Sequence, residues 1–381
     1  MLKNKTIKKG VLIRMKKCSL FLLMIVLALF LTNKGEAYAK ESSFGKQKVK
    51  GVMTTAVSTD IVISWEKIGQ ATGYVVFEST EQTGTYKEVA RVSSCRKTLK
   101  NRQRGKTYYY KIQPYKVSKG KTTYGKKSTA VSATVATGKS VTTVKTFLQT
   151  AIAPVGSTMY IWGGGWNKAD TAAGKDAKRI GLNPQWRTFF NKQKKGYDYK
   201  RTKYQWGNGL DCSGYVGWTF YNILNKTPNK SGYVKKANKQ ASWFAGMGYG
   251  KLTKRNQVNN YRPGDIMSSA CTCCGHVYIV IGQCKDGSVV LVHSSPTGVQ
   301  INGTVTQEGN KNSEAVKLAK KYMKQYYGSW YKKYPKCDKG VSYLQHYEQM
   351  RWHVGEDCFM SDPHGYADMD AKTVLKDLFE K

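Results

Sequence analysis

Leu210-Asp211-Cys212-Ser213-Gly214 and Gly275-His276-Val277-Tyr278-Ile279 are the two stretches that decide the fold of the larger part of this chain. Apolar residues follow Cys212 at helical spacing, which predicts the cysteine at the first turn of a buried helix. His276 opens a continuous apolar run that is typical of a buried strand. A helix N-terminus favours the thiolate, which is the nucleophilic form, so the sequence predicts a cysteine of lowered pKa beside an imidazole.

A second histidine is predicted at the same end of the sheet. His293 follows an apolar run, residues 289–292, which is predicted to be the next strand. The turn-forming sequence of residues 285–288 predicts a hairpin, so the two strands are antiparallel neighbours. Because His276 begins one strand and His293 ends the other, the pairing brings both imidazoles together. This is the geometry that a cysteine, a base and an orienting residue require.

Five ordered motifs resemble those of the NlpC-type cell-wall endopeptidases. This resemblance covers roughly residues 144–303 and implies an α+β, papain-like fold, with the cysteine helix packed on an antiparallel sheet. The motifs are Tyr160-Ile161-Trp162-Gly163-Gly164, Leu210-Asp211-Cys212-Ser213-Gly214, Arg262-Pro263-Gly264-Asp265, Gly275-His276-Val277-Tyr278-Ile279 and Val292-His293-Ser294.

The resemblance implies a role for each matching residue. Cys212 is the nucleophile, His276 is the general base and His293 orients that base. The backbone N–H of Cys212 supplies a donor to the oxyanion. The residues expected to contact the substrate are Tyr160, Trp162, Asp211 and Ser213. Neither a metal nor a cofactor is implied.

The first part of the mature chain, residues 45–138, is predicted to be an all-β sandwich. Short alternating apolar runs separated by glycines favour this class of fold. The order of Trp65, residues 73–77 and residues 106–112 resembles a fibronectin type III domain. That resemblance implies a core position for Trp65 and a tyrosine corner at Tyr108, and it favours a spacer or adhesion module.

The N-terminus indicates export. Residues 1–39 combine a basic start, an apolar run and an Ala37-Tyr38-Ala39 cleavage site, which predicts a signal peptide of a secreted or wall-associated bacterial protein. An uncleaved anchor is the alternative; after cleavage no stable membrane insertion is expected. The formal net charge of +39 favours anionic partners, here peptidoglycan and anionic wall polymers rather than nucleic acid. Solubility alone is another explanation of this charge.

The remaining segments have open roles. Residues 139–143 are predicted to be a linker, and residues 144–381 form the second domain. An insert at 166–205 is either a lid or substrate wall, or a helical decoration on the outside. The extension at 304–381 is predicted to contain a helix over 313–327 and a strand over 349–352. Its histidines are expected to be structural or exposed rather than catalytic.

Three cysteines crowd beside His276, at positions 271, 273 and 274. A zinc site is one hypothesis, but the spacing matches no common zinc framework. A local disulfide involving Cys284 or Cys337 is favoured instead.

The sequence thus predicts a secreted peptidoglycan hydrolase that cleaves amide bonds in stem peptides through a Cys-His-His triad. Two alternatives stay open. A papain-like acyltransferase would pass the acyl group to an amine or an alcohol, and a wall-binding or adhesion protein would carry an idle catalytic domain.

Overall fold

The computed structural model describes residues 44–168, 171–269 and 275–380. The predicted signal peptide, residues 1–39, lies outside these ranges. Within them, no helix combines the length and the apolarity that crossing a membrane would require.

The N-terminal part is a sandwich of two antiparallel sheets. One sheet has the order β1-β2-β5; the other has the order β4-β3-β6-β7, with β8 also paired to β6. The strands are β1 Met53–Val57, β2 Asp60–Ser64, β3 Gly73–Ser79, β4 Lys87–Val92, β5 Arg96–Leu99, β6 Thr107–Ser118, β7 Lys121–Tyr124 and β8 Val131–Thr134.

The sandwich has its own apolar core. Alternate residues of a strand point to one face, and Ile61 on one sheet and Ile112 on the other are both fully buried in the same core. Trp65 is 5% exposed, which confirms its predicted core position. The Tyr108 hydroxyl accepts the backbone N–H of Gln103 at 3.1 Å. This contact to the backbone a few residues upstream is that of a tyrosine corner.

The second part is an α+β body built on a nine-stranded sheet. The strand order is β11-β10-β16-β15-β14-β13-β18-β12, and β17 pairs with β16. The strands are β10 Met159–Tyr160, β11 Gly209–Leu210, β12 Gly250–Thr253, β13 Ile266–Ser269, β14 Val277–Gln283, β15 Val289–Ser295, β16 Gly298–Thr304, β17 Asp338–Lys339 and β18 Tyr347–Trp352. The helices are α1 Val144–Ile152, α2 Pro184–Lys192, α3 Cys212–Leu224, α4 Gln240–Gly246, α5 Glu314–Tyr326, α6 Gly328–Lys333, α7 Ser342–Gln345 and α8 Ala371–Phe379.

Helix α3 is the centre of the larger core. Twelve of its thirteen residues are buried, so it is apolar all round, as expected of a helix enclosed by other elements. Phe220 stacks on Phe244 with ring centroids 3.6 Å apart and on Trp352 at 5.0 Å. Since this packing holds the helix rigidly, its first residue has a fixed position against the sheet.

The predicted linker is a folded segment. Within residues 139–143, Thr142–Thr143 form β9, which pairs in parallel with β19, Met360–Ser361. The side chain of Ser140 donates to the carbonyl of Gly355 at 2.8 Å. Ser140, Thr142 and Thr143 are buried because the far end of the chain returns to cover them.

The C-terminal extension completes the sheet. The predicted helix over 313–327 is α5, capped by the Ser313 hydroxyl, and the predicted strand over 349–352 is part of β18. That strand lies between β13 and β12 and is antiparallel to both. The extension is therefore integral to the fold of the second part.

The insert at 166–205 packs into the core through α2. Trp186 is 1% exposed and its ring meets Trp218 at 5.8 Å, and Phe190 stacks on Trp330 at 5.1 Å. On its outer side, Arg187 pairs with Glu66 of the sandwich at 2.8 Å. The insert thus joins the sandwich to the second part.

Candidate active site

Cys212 is the first residue of α3 and is 7% exposed. Asp211 caps the helix by accepting the Gly214 N–H at 2.7 Å, which is the usual way in which a side chain starts a helix. The backbone N–H groups of Cys212, Ser213 and Val277 lie close enough to the sulfur to favour its charged form. Because Val277 directly follows His276, the thiol lies where β14 begins.

The charge state of Cys212 differs from the expectation. Burial raises the pKa of the thiol to about 12, and the negative charge of Asp211 adds to this, although the three backbone N–H groups favour the thiolate. Desolvation penalises a charged form more than a helix end stabilises it at this depth. The predicted lowering of the thiol pKa is therefore wrong, and Cys212 is a neutral thiol in this structure.

The two histidines meet as predicted. Nε2 of His276 lies 2.7 Å from Nδ1 of His293, with β14 and β15 antiparallel as the hairpin required. His293 is fully buried and its Nε2 lies 3.1 Å from Oδ1 of Asn302 on β16. The structure thus forms a line of hydrogen bonds from His276 through His293 to Asn302.

The hydrogen bonds at the Asn302 end of this line determine which nitrogen of each imidazole carries the proton. An indole N–H can only donate, so Trp330, which meets Oε1 of Gln300 at 3.0 Å, orients that amide. Nε2 of Gln300 then donates to Oδ1 of Asn302 at 3.0 Å, which makes that oxygen an acceptor. His293 therefore carries its proton on Nε2 and accepts at Nδ1 from His276 Nε2–H.

This assignment leaves the lone pair of His276 on Nδ1, where it can act as a base. The pKa of His276 is lowered to about 3, first by burial and then by the charge of Lys339. The pKa of His293 is lowered well below its usual value for the same two reasons, and by His276 as well. Cys212 and His276 are therefore both neutral in this structure.

Two tyrosines of the C-terminal extension border the site, and the sequence analysis missed them. The ring of Tyr343 on α7 lies 5.6 Å from that of His276 and 5.8 Å from that of His293. Tyr347 lies 6.4 Å from His276. Burial raises the pKa of both phenols, and the negative charge of a Cys212 thiolate would raise it further. Their distance along the chain from the motifs explains why no local pattern indicated them.

Four other residues were predicted to contact the substrate. Asp211 and Ser213 are buried, and the Ser213 hydroxyl donates to Asp211 at 3.0 Å. Tyr160 is 5% exposed and meets the Tyr199 ring of the insert at 5.4 Å. Trp162 is 40% exposed, with the Lys203 ammonium 5.8 Å from its ring. Trp162 thus has the most accessible side chain of the four, and for all four the predicted contact stays a prediction.

Cys271, Cys273 and Cys274 lie outside the described residues, so the disulfide and zinc hypotheses stay open. Cys284 and Cys337 are buried thiols without a disulfide bond to any described residue. Cys284 also approaches Asp286 and Glu314, all three offering ligand atoms within 4.8 Å. In this cluster the Asp286 carboxylate accepts two backbone hydrogen bonds, one from the N–H of Glu314 at 2.7 Å and one from the N–H of Ser288 at 3.0 Å. These bonds give it a structural role in closing the hairpin.

No protein-family model matches the chain, and no curated protein is significantly similar to it. Among solved structures it is similar to a human fibronectin type III domain, at 19% identity over 27% of this chain and 81% of that one, with a TM-score of 0.22. It is also similar to a fibronectin type III-like protein from Clostridium thermocellum, at 24% identity over 22% and 90%, with a TM-score of 0.19. These matches cover about a quarter of the chain.

Proposed function

We propose that this protein is a secreted peptidoglycan hydrolase whose papain-like, NlpC-type domain cleaves amide bonds in stem peptides. One observation carries the proposal: Cys212 begins α3 beside the start of β14, where the Val277 N–H favours the charged form of its sulfur, and there His276 and His293 share a hydrogen bond of 2.7 Å. A thiol at a helix start, a base and a group that orients the base are the parts that acyl transfer needs.

In the first half of the reaction, Nδ1 of His276 takes the thiol proton as the sulfur attacks the amide carbonyl. The carbonyl π bond breaks, and the oxyanion that forms accepts the backbone N–H of Cys212. His276 then gives its proton to the amide nitrogen, the C–N bond breaks and the amine leaves. An acyl thioester remains on Cys212.

In the second half, water replaces the amine. His276 Nδ1 accepts a proton from the water as its oxygen attacks the thioester carbonyl. The second tetrahedral intermediate collapses, the C–S bond breaks and the thiolate recovers the proton from His276. The products are a free carboxylic acid and an amine. Throughout, the hydrogen bond from His276 Nε2 to His293 holds the ring and spreads the positive charge of the transient imidazolium.

The high net positive charge of the chain supports a substrate among anionic wall polymers, because it attracts acidic polymers to the protein. The predicted signal peptide supports export to the wall. Trp162 and the lysine above its ring supply an exposed aromatic and cationic edge next to the motif that contains Tyr160. Stacking and charge on that edge suit an acidic wall peptide.

The test is mass spectrometry of soluble fragments released from purified peptidoglycan by residues 40–381 under reducing conditions. Fragments are expected from the intact protein and not from Cys212→Ala. Cys95→Ala is the matched control, since Cys95 is a half-buried thiol of the sandwich. Release by Cys212→Ala at the wild-type rate would overturn the proposed chemistry. Absence of release from several wall types, with binding retained, would favour an adhesion protein.

Acyl transfer to an amine is the second candidate. It is favoured by the cover that Tyr343 and Tyr347 place over the histidines, because a site that limits water lets another nucleophile compete for the thioester. Adding glycine amide to the reaction distinguishes the two. A hydrolase releases free acids, whereas a transferase yields products heavier by the added amine.

A further inference from the structure

Lys339 places a cation beside the histidines from a segment outside the recognised motifs. It lies on β17, which pairs in parallel with β16 at Thr304. The Nζ of Lys339 is 3.4 Å from the Ser295 hydroxyl and 5.7 Å from the centre of the Tyr343 ring. The ammonium therefore reaches back toward the end of the sheet where the catalytic groups meet.

These contacts put the ammonium on the same side of the sheet as the catalytic pair. Ser295 is two residues after His293 on β15, and alternate residues of a strand share a face. Tyr343 contacts the rings of both histidines. The charge of Lys339 also lowers the pKa of His276 and of His293, as it must if it lies close to both. Lys339, Ser295 and Tyr343 thus border one side of the candidate active site.

Among the described residues, no carboxylate lies within 4.0 Å of the Lys339 ammonium. Burial, with the nearby charge of Lys336, lowers its pKa to about 8, so it is still largely protonated at neutral pH. A desolvated charge is costly unless it is paired. An anion that reaches this ammonium would offset that cost.

We propose that Lys339 and Ser295 form a subsite that binds a free carboxylate of an acidic peptide substrate beside the bond that Cys212 attacks. The ammonium supplies the charge and the hydroxyl a second donor, a pairing that suits a carboxylate and not a neutral carboxamide. This inference rests on the proposed function and adds a preference for peptides whose carboxyl group is not amidated. The C-terminal extension thereby sets specificity.

The experiment compares two synthetic wall peptides that are identical except that one carries a carboxylate where the other carries a carboxamide. For the wild-type protein, kcat/KM is expected to be about tenfold or more higher for the carboxylate, since a hydrogen bond to a charged group contributes about 1.5–3 kcal/mol. Lys339→Met is expected to bring the ratio of the two rates close to one. Lys339→Arg keeps the charge and should keep the preference.

Lys332→Met is the matched control, because Lys332 is an exposed lysine of the same extension; its ratio should equal that of the wild type. Equal wild-type rates on both peptides would overturn the subsite. So would a Lys339→Met variant that loses activity equally on both, because Lys339 would then act on the histidines instead of on the substrate.

Binding to Cys212→Ala, measured by calorimetry with the same two peptides, separates this inference from the proposed function. Tighter binding of the carboxylate form, lost in Cys212→Ala/Lys339→Met, supports the subsite even if the wild-type protein releases no product. Equal binding of the two forms, or binding of neither, overturns the subsite even if wall fragments are released.

Discussion

Asn302 is expected to decide which nitrogen of His276 acts as the base, and Asn302→Leu tests this. The substitution keeps a similar volume and removes the acceptor that His293 Nε2–H meets at 3.1 Å. In this variant the side-chain N–H of Gln300 can still donate to the Lys336 carbonyl at 2.7 Å. His293 is therefore the residue that loses its hydrogen-bond acceptor. Its Nε2–H would be buried without a partner.

The magnitude follows from that unpaired donor. A buried polar group left without a hydrogen bond costs about 1–3 kcal/mol. In the variant this cost disfavours the productive tautomer, and His293 can move its proton to Nδ1. His276 would then carry its own proton on Nδ1 and could not accept one from Cys212. At about 1.4 kcal/mol per tenfold, activity is expected to fall roughly 5- to 150-fold.

Two assays check this expectation. Fragment release from peptidoglycan gives the rate, and nitrogen-15 NMR of labelled histidines reports which ring nitrogen is protonated, whatever the activity. Asn302→Asp is the control: it keeps an acceptor oxygen, so the tautomer should hold, while its charge raises the pKa of His293. Wild-type activity in Asn302→Leu, together with an unchanged tautomer pattern, would refute the assignment.

Three further outcomes are expected. The depressed pKa values of His276 and His293 mean that, between pH 6.5 and about 3, the unfolded chain binds more protons at these rings than the folded chain. The stability that these two neutral histidines contribute is full above pH 6.5 and is lost as pH falls through this window. In thermal melts, the melting temperature of a variant with both His276 and His293 changed to Gln should therefore fall less with decreasing pH than that of the wild type. Trp186→Ala should destabilise the fold by about 3–5 kcal/mol in denaturant melts, because the ring fills the core between insert and helix; a change below 1 kcal/mol would mean that the insert packs loosely. Tyr343→Ala, which uncovers the histidines, should speed hydrolysis of the acyl thioester relative to transfer to an added amine, and an unchanged product ratio would show that the ring does not limit water.

Much of the local structure could be predicted from the sequence. The spacing of apolar residues after Cys212, the turn at 285–288 and the runs on either side of it predicted α3, β14 and β15. They did so because helix and strand periodicities are properties of neighbouring residues. The same reasoning located β6 of the sandwich and α5 of the extension. The meeting of His276 with His293 followed, since a short hairpin has few possible registers.

The segment at 139–143 makes a long-range contact that its composition did not indicate. Small polar residues predicted a linker, yet Thr142 and Thr143 pair with a strand more than two hundred residues later in the chain. A local pattern carries no information about a partner so far away. For the same reason the sequence does not decide between the two roles of the insert, whose Trp186 lies in the core through its packing on Trp218 of α3.

The sequence by itself determined that Cys212 would begin a helix and that His276 and His293 would meet at one end of a hairpin, because each lies in a short motif within one element. Tertiary structure alone decided their chemical states. Burial, which depends on all the elements around a site, raised the pKa of Cys212 and lowered that of His276. Long-range packing also brought Asn302, Lys339 and Tyr343 to the same histidines, and such contacts arise only once the chain has folded.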